Sequence, residues 1–258
     1  LIKFIKILKE NCKEHKFQII ATTHSQSILK NTPPIGRFFL ENVNGKTIIT
    51  DSITALYAAG KLAGENSNEL DIFVEDGTAK RILELALSTD TRNRVNIISI
   101  GSSSAIARQL AARYKNIKEG ECVAILDGDK RNSYDETKSV FIKALESANL
   151  DQDAENWLIQ RIEYLPGDTW PETWILNEIK ESNCNFLCSL LTIDKNRLIE
   201  YIEESLLSGK HNEFYTLSTK VNLEKDLIIS SCAKEVIDSK KELFNALEQF
   251  VLVSLQNS

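Results

Sequence analysis

Between residues 70 and 131 the chain repeats one pattern, a short apolar run followed by a turn and a helix-length stretch. The runs are Leu70-Asp-Ile-Phe-Val74, Val95-Asn-Ile-Ile-Ser-Ile100 and Cys122-Val-Ala-Ile-Leu126, with helices predicted from about Ala79 to Ser88 and from Ala105 to about Tyr114. The continuous run from Cys122 to Leu126 suits a strand buried on both faces. Strand-helix-strand order then requires parallel pairing through crossovers. The prediction is an α/β fold with a parallel sheet flanked by helices. Ligands in such sheets gather beyond the carboxyl ends of the strands, and the acids of this sequence fall there. The third run ends in Asp127-Gly128-Asp129 and the first in Glu75. Period-2 geometry starts Asp127 and Asp129 toward one side, and Gly128 lets the backbone turn or approach a ligand. Two aligned acids repel unless a proton or cation lies between them, which predicts a divalent-metal site. Hard carboxylates suit Mg2+ or Mn2+. Zinc would recruit His or Cys, and none lies at these strand ends.

Composition narrows the class. At 258 residues, 42% hydrophobic and 26% charged, the chain has a soluble globular make-up with room for a sizeable core. No apolar run approaches the roughly 20 residues needed to span a bilayer. The N-terminus spaces its lysines as an amphipathic helix does, unlike a signal peptide, so a cytoplasmic location without a membrane partner is expected. The chain has no Met, which suggests a piece of a longer polypeptide. Its five cysteines are scattered and read as reduced thiols; Cys184 and Cys188 lack the partners of a zinc set. The net charge of −6 argues against a simple basic nucleic-acid glove.

Outside this central alternation, residues 1 to 16 read as an amphipathic helix with Ile2, Ile5, Leu8 and Cys12 on one face. Residues 17 to 22 read as a strand, ending in Thr23-His24-Ser25. A hairpin over 37 to 50 turns at Asn44-Gly45, the favoured two-residue turn. A helix over 52 to 63 is capped by Ser52, and 64 to 68 is the best linker. Further on come a helix from Tyr134 to Ala148, a short strand from Arg161 to Pro166, and a helix opened by Pro171-Glu172. From residue 184 the periodicity is helical, broken at Ser208-Gly209-Lys210-His211. There is no internal repeat or low-complexity tract.

Two segments carry a family resemblance. The strand followed by Thr-Thr-His-Ser-Gln-Ser-Ile-Leu resembles the switch-histidine segment of ABC-type ATPases, which implies that His24 contacts the γ-phosphate of ATP or its attacking water. No G-x-x-x-x-G-K-[ST] is present, so the phosphate cradle would lie upstream or in another chain, and this stretch alone would not hydrolyse ATP. Strand-Glu75, about fifty residues, then strand-Asp127-x-Asp129, with Gly101 after the middle strand, is similar to the signature of the Toprim domain. Together the two resemble the OLD-family nucleases, with the nuclease subunit of Gabija defence systems and some retron-associated effectors as relatives. The resemblance implies residues 1–64 as the C-terminal end of an ATPase domain and 65–258 as a Toprim domain, helical from about 176. It implies Glu75, Asp127 and Asp129 as metal ligands, with Glu172, in its Pro-Glu context, as a fourth. It also implies a catalytic lysine opening a late helix, best matched by Lys210, with His211 its neighbour.

The activity that the resemblance implies is that of a DNA endonuclease dependent on Mg2+ or Mn2+, regulated by ATP through the upstream domain and acting in anti-phage defence. Its nucleophile is water, because nothing resembles the second domain that carries the topoisomerase Tyr. The implied partners are DNA, further copies of the chain, and a defence-system protein or retron RNA/DNA. Lys130 and Arg131, and beyond them Arg108, Arg113, Lys115 and Lys118, are available to a nucleic-acid backbone. One departure stands out: the family often has an acid four residues after the first Glu, where this chain has Ala79.

Simpler readings exist for each residue. Asp-Gly-Asp also suits a tight turn, Glu75 and Glu172 also suit helix N-termini, Lys210 also suits a solvated loop, and Trp170 and Trp174 suit core packing. As whole-chain alternatives, a non-enzymatic Toprim-like assembly module of an ATPase complex accounts for Ala79. A small-molecule phosphoryl transferase with Asp127 as nucleophile leaves His24 unexplained.

Overall fold

The alternation of apolar runs and helices folds as its period requires. The computed structural model describes residues 2–63, 68–116, 121–146 and 151–256. It opens with α1 (Ile2–His15), α2 (Gln26–Lys30), the hairpin β1 (Phe38–Val43) and β2 (Lys46–Asp51), and α3 (Ala55–Ala63). Next come β3 (Leu70–Val74), α4 (Gly77–Ala86), α5 (Thr89–Arg92), β4 (Val95–Ser99), α6 (Ser103–Lys115), β5 (Glu121–Leu126), α7 (Tyr134–Leu145), α8 (Gln152–Ile159) and β6 (Ile162–Tyr164). Six helices complete the described chain: α9 (Pro171–Glu181), α10 (Asn185–Leu191), α11 (Lys195–Leu206), α12 (Glu213–Val221), α13 (Lys225–Ser239) and α14 (Lys241–Gln256).

β3 to β6 form one parallel sheet in the order β4-β3-β5-β6. Leu70 faces Val95 on one side and Glu121 on the other, and Ala124 faces Ile162. β3 and β5 are therefore direct neighbours, and their carboxyl ends open on the same edge. Side chains alternate between two cores, as the pleat dictates. Ile72, Val74, Val123 and Ile125 pack with α4 and the helices from α9 onward. Phe73, Cys122, Ala124 and Leu126 pack with α6, α7 and α8. Burial on both faces is why β5 reads as an unbroken apolar run from Cys122 to Leu126.

The N-terminal part departs from expectation. The hairpin is present, and Asn44 and Gly45 both adopt positive φ, 52° and 79°, as a type I′ turn needs. Residues 17 to 22 form no strand, and Ile20 is 89% exposed. A parallel strand gains stability from neighbours and covering helices, and neither described sheet offers it a place. The apolar stripe of α1 is likewise largely uncovered, with Ile5 alone buried. Ser52 does not cap the next helix: it sits at φ 50°, and the Thr54 hydroxyl accepts the Tyr57 N–H at 3.1 Å instead. The expected linker falls, apart from Asn68, outside the described residues, as does the expected end of the helix at 147–148. No helix among the described residues is long and apolar enough to cross a membrane.

Candidate metal centre

The site is built from the ends of β3 and β5 outward. Glu75 follows β3, and its carboxylate is fixed by two backbone donors. The Asp127 N–H reaches Oε1 at 3.3 Å and the Ser103 N–H, at the start of α6, reaches Oε2 at 3.2 Å. Its carbonyl accepts the Gly101 N–H at 2.7 Å, with Gly101 at φ 113°. Burial raises the pKa of Glu75, partly offset by the Asp127 N–H, the Lys130 charge and the Ser103 N–H.

Asp127 is 3% exposed, and its Oδ1 is buried without a hydrogen-bond partner. Burial first, then the charges of Glu75, Asp76, Glu172 and Asp129, push its pKa up to about 8. Asp129 also buries an unpartnered Oδ1. Its Oδ2 accepts from the Lys130 ammonium at 3.2 Å and lies 3.7 Å from Lys210 Nζ. At Lys130, burial alone would lower the pKa. The Asp129 hydrogen bond and the Asp129, Glu75 and Asp127 charges outweigh it and leave the value raised.

Two glycines bring the fourth acid in. A Cβ on Gly128 would lie 2.6 Å from the Gly167 carbonyl oxygen, so only glycine lets the β5 tip touch the loop between β6 and α9. A Cβ on Gly167, itself at φ 98°, would strike the Trp174 ring at 2.5 Å. Arg131 fastens the same loop, donating to the carbonyls of Leu165 at 3.2 Å and Gly167 at 3.3 Å. The loop delivers Glu172 in the first turn of α9, 3% exposed, with Oε2 buried and unpartnered. Lys210 sits on the turn between α11 and α12, its ammonium 5.1 Å from the Trp170 ring centroid. The fully buried Glu213 carboxylate holds that ring from below, accepting from Trp170 Nε1 at 2.5 Å and from the Thr173 hydroxyl at 2.9 Å.

Glu75, Asp127, Asp129, Glu172 and Lys210 thus meet at one sheet edge. His24 stays outside, exposed in the loop ahead of α2. Ala79 is fully buried on the core face of α4, so its position opens onto packing rather than onto the acids. Sequence reasoning gave no role to two members. Asp76 caps α4, its Oδ1 accepting the Ala79 N–H at 2.8 Å. His211 turns Nδ1 toward Glu172 Oε1 at 3.5 Å and Asp76 Oδ2 at 4.0 Å. Among the described residues, Asp76, Glu172 and His211 form the one trio of His, Cys, Asp or Glu whose ligand atoms all lie within 4.8 Å of one another. Glu75, Asp127 and Asp129 do not close to that spacing, as mutual repulsion among acids predicts. The Asp cap was legible in Val-Glu-Asp-Gly-Thr; nothing local marked His211.

Three buried carboxylate oxygens without partners are costly in a protein interior, and they are hard donors of the kind a divalent cation takes. The residues fit such an ion. Fold and site together define an α/β domain with a candidate cation centre at the carboxyl edge of its parallel sheet.

No family model and no curated protein matches the sequence. Two solved structures are similar to it, both of the C-terminal region of the OLD protein of Xanthomonas campestris pv. campestris. They show 12% and 13% identity and TM-scores of 0.44 and 0.42, each covering 74% of this chain and 95% of that chain. At that degree of overlap the likeness decides neither residue roles nor chemistry.

Proposed function

We propose that the chain carries a Toprim-type nuclease centre that hydrolyses DNA phosphodiester bonds with the help of Mg2+ or Mn2+. The observation that carries this reading is the convergence of Glu75, Asp127 and Asp129 at one strand edge, with orphaned carboxylate oxygens on both aspartates. Glu75, Asp127 and Asp129 would hold the ion, with Glu172 at the border of the site. A divalent cation bound there supplies Lewis acidity, lowering the pKa of a water and drawing charge from a phosphoryl oxygen. The backbone donors of Asp127 and Ser103 keep the Glu75 carboxylate aimed without a side-chain partner. Lys210, half exposed and only loosely paired with Asp129, is placed to meet a non-bridging phosphate oxygen and offset its developing charge. Lys130 neutralises Asp129. Arg131, committed to the loop carbonyls, contributes chiefly by holding Glu172 in place.

On the same reading, residues 1–64 are the end of an ATPase domain, whose remainder would cover the exposed apolar side chains of α1, residues 17–20 and the hairpin. His24 would then face ATP, and the assembly would work in the cytoplasm as a multimer in anti-phage defence. The test is cleavage of supercoiled plasmid by the full chain with Mg2+ or Mn2+. Loss of cutting in Glu75→Ala and Asp127→Ala supports the reading. Undiminished cutting by both pure variants contradicts it, and DNA binding without cutting under any metal favours a non-enzymatic assembly module.

A further inference from the structure

We propose that Trp170 is a positioning residue for Lys210, with Glu213 setting the indole, so that the ammonium stays at the sheet edge when an ion occupies the acids. The proposal rests on the nuclease reading for what Lys210 does and adds how it is held. Of the two tryptophans around the start of α9, Trp174 is 9% exposed and belongs to the core, whereas Trp170 is only half-buried. Its ring lies instead under a cation. Lys210 Nζ is 5.1 Å from the ring centroid, inside the range over which an aromatic face attracts an ammonium. The indole is itself pinned: its Nε1–H donates to Glu213 Oε1 at 2.5 Å, and the Thr173 hydroxyl donates to the same oxygen at 2.9 Å. Glu213 is fully buried in the first turn of α12, where the helix dipole favours a carboxylate.

Lys210 and Glu213 belong to one short segment, so the chain grips the ring from its face and from its edge. The turn between them holds His211 at φ 68°, next to Gly209 at φ 89°, and is closed by the Asn212 N–H on the Gly209 carbonyl at 3.0 Å. A non-glycine residue at positive φ persists where its surroundings over-determine it, and the grip on Trp170 supplies that constraint. A half-exposed lysine otherwise samples many rotamers. Its other hold is Asp129, whose Oδ2 is 3.7 Å away and already accepts from Lys130 at 3.2 Å. A divalent ion competes with Lys210 for that carboxylate, but not for a neutral indole.

The experiment follows the Lys210 Hε protons by NMR in full-length, metal-stripped protein labelled with 13C-lysine, assigned by loss of the signal in Lys210→Arg. Ring current should move them upfield of the random-coil lysine position, and the shift should survive excess Mg2+. Trp170→Leu should abolish it, and Trp170→Phe, which keeps a ring but no N–H, should retain part of it. In plasmid cleavage, Trp170→Leu should lower kcat by about 10- to 100-fold with KM little changed, and Trp170→Phe should restore most of the loss. A Lys210 signal at the random-coil position, or one unmoved by Trp170→Leu, overturns the proposal, as does wild-type kcat in Trp170→Leu. The wild-type shift and the Phe variant keep the test decisive should the Leu variant not fold. If the full chain cuts no DNA, the nuclease reading fails, while the NMR result still decides whether Trp170 holds Lys210.

Discussion

The two parts of this molecule treat apolar residues in opposite ways. In β3 and β5 every apolar side chain from Cys122 to Leu126, and Ile72 to Val74 beside them, is buried on one sheet face or the other. In residues 2–63 the apolar side chains mostly face outward, and the small cluster of Ile53, Tyr57 and Ala58 is their chief shelter. The seam between the parts is polar. Buried Arg94 pairs with Glu69, whose Oε2 also accepts the Thr54 N–H at 2.7 Å. Arg94 also donates to the Ser52 carbonyl at 3.1 Å. One part carries its own core and positions the site, and the other is a surface fastened on by hydrogen bonds.

That contrast can be broken by the same substitution made in each part. Phe73→Ala, within the strand that leads into Glu75, should cost about 4 kcal/mol of unfolding free energy in denaturant titration. Phe38→Ala, on a hairpin side chain that is 61% exposed, should change it by less than about 0.5 kcal/mol. Comparable losses at both positions would erase the distinction. Next in size is the seam. Glu69→Ala strands a buried Arg94 and should cost about 3 kcal/mol, with hydrogen exchange rising over residues 52–54 before the sheet opens.

The site edge should behave in the reverse sense. Asp127 is buried among like charges with Oδ1 unpartnered, so Asp127→Asn should stabilise the metal-free protein by about 1–2 kcal/mol while abolishing the proposed DNA cleavage. The effect of pH has a definite sign. A folded-state pKa raised to about 8 means that the native state holds a proton the unfolded chain has already lost above the ordinary carboxylate range. In EDTA the Asp127 contribution therefore erodes stability as pH rises toward 8 and is absent in acid. The Asn variant should flatten that part of the stability profile, and an unchanged profile would refute the assignment.

The same contrast explains what could be read from the sequence. The strands and their parallel order were legible because burial on two faces leaves largely apolar runs, whereas the period-2 expectation for Asp127 and Asp129 stops at Leu126, because Gly128–Ser133 turn as a 3-10 helix. Gly128 was read as a turn or an approach to a ligand, and the structure sets it instead against the Gly167 carbonyl of the protein's own loop. Residues 17–22 carry the same apolar signal without the neighbours that would make them a strand. Ser52 looked like a cap, but its positive φ moves that role to Thr54. His211 reaches Asp76 and Glu172 only through the packing of α9, α11 and α12, a tertiary fact with no local mark. Ala79, read as a missing acid, is core.

The central claim is that the acids at the ends of β3 and β5 form a cation site, and thermal unfolding with Mn2+ tests it most directly. Metal-stripped protein should melt progressively higher as Mn2+ is added, by the linkage of binding to folding, and Glu75→Ala and Asp127→Ala should each lose most of that rise. A wild-type melting temperature indifferent to Mn2+, or an equal rise in both variants, would contradict the account.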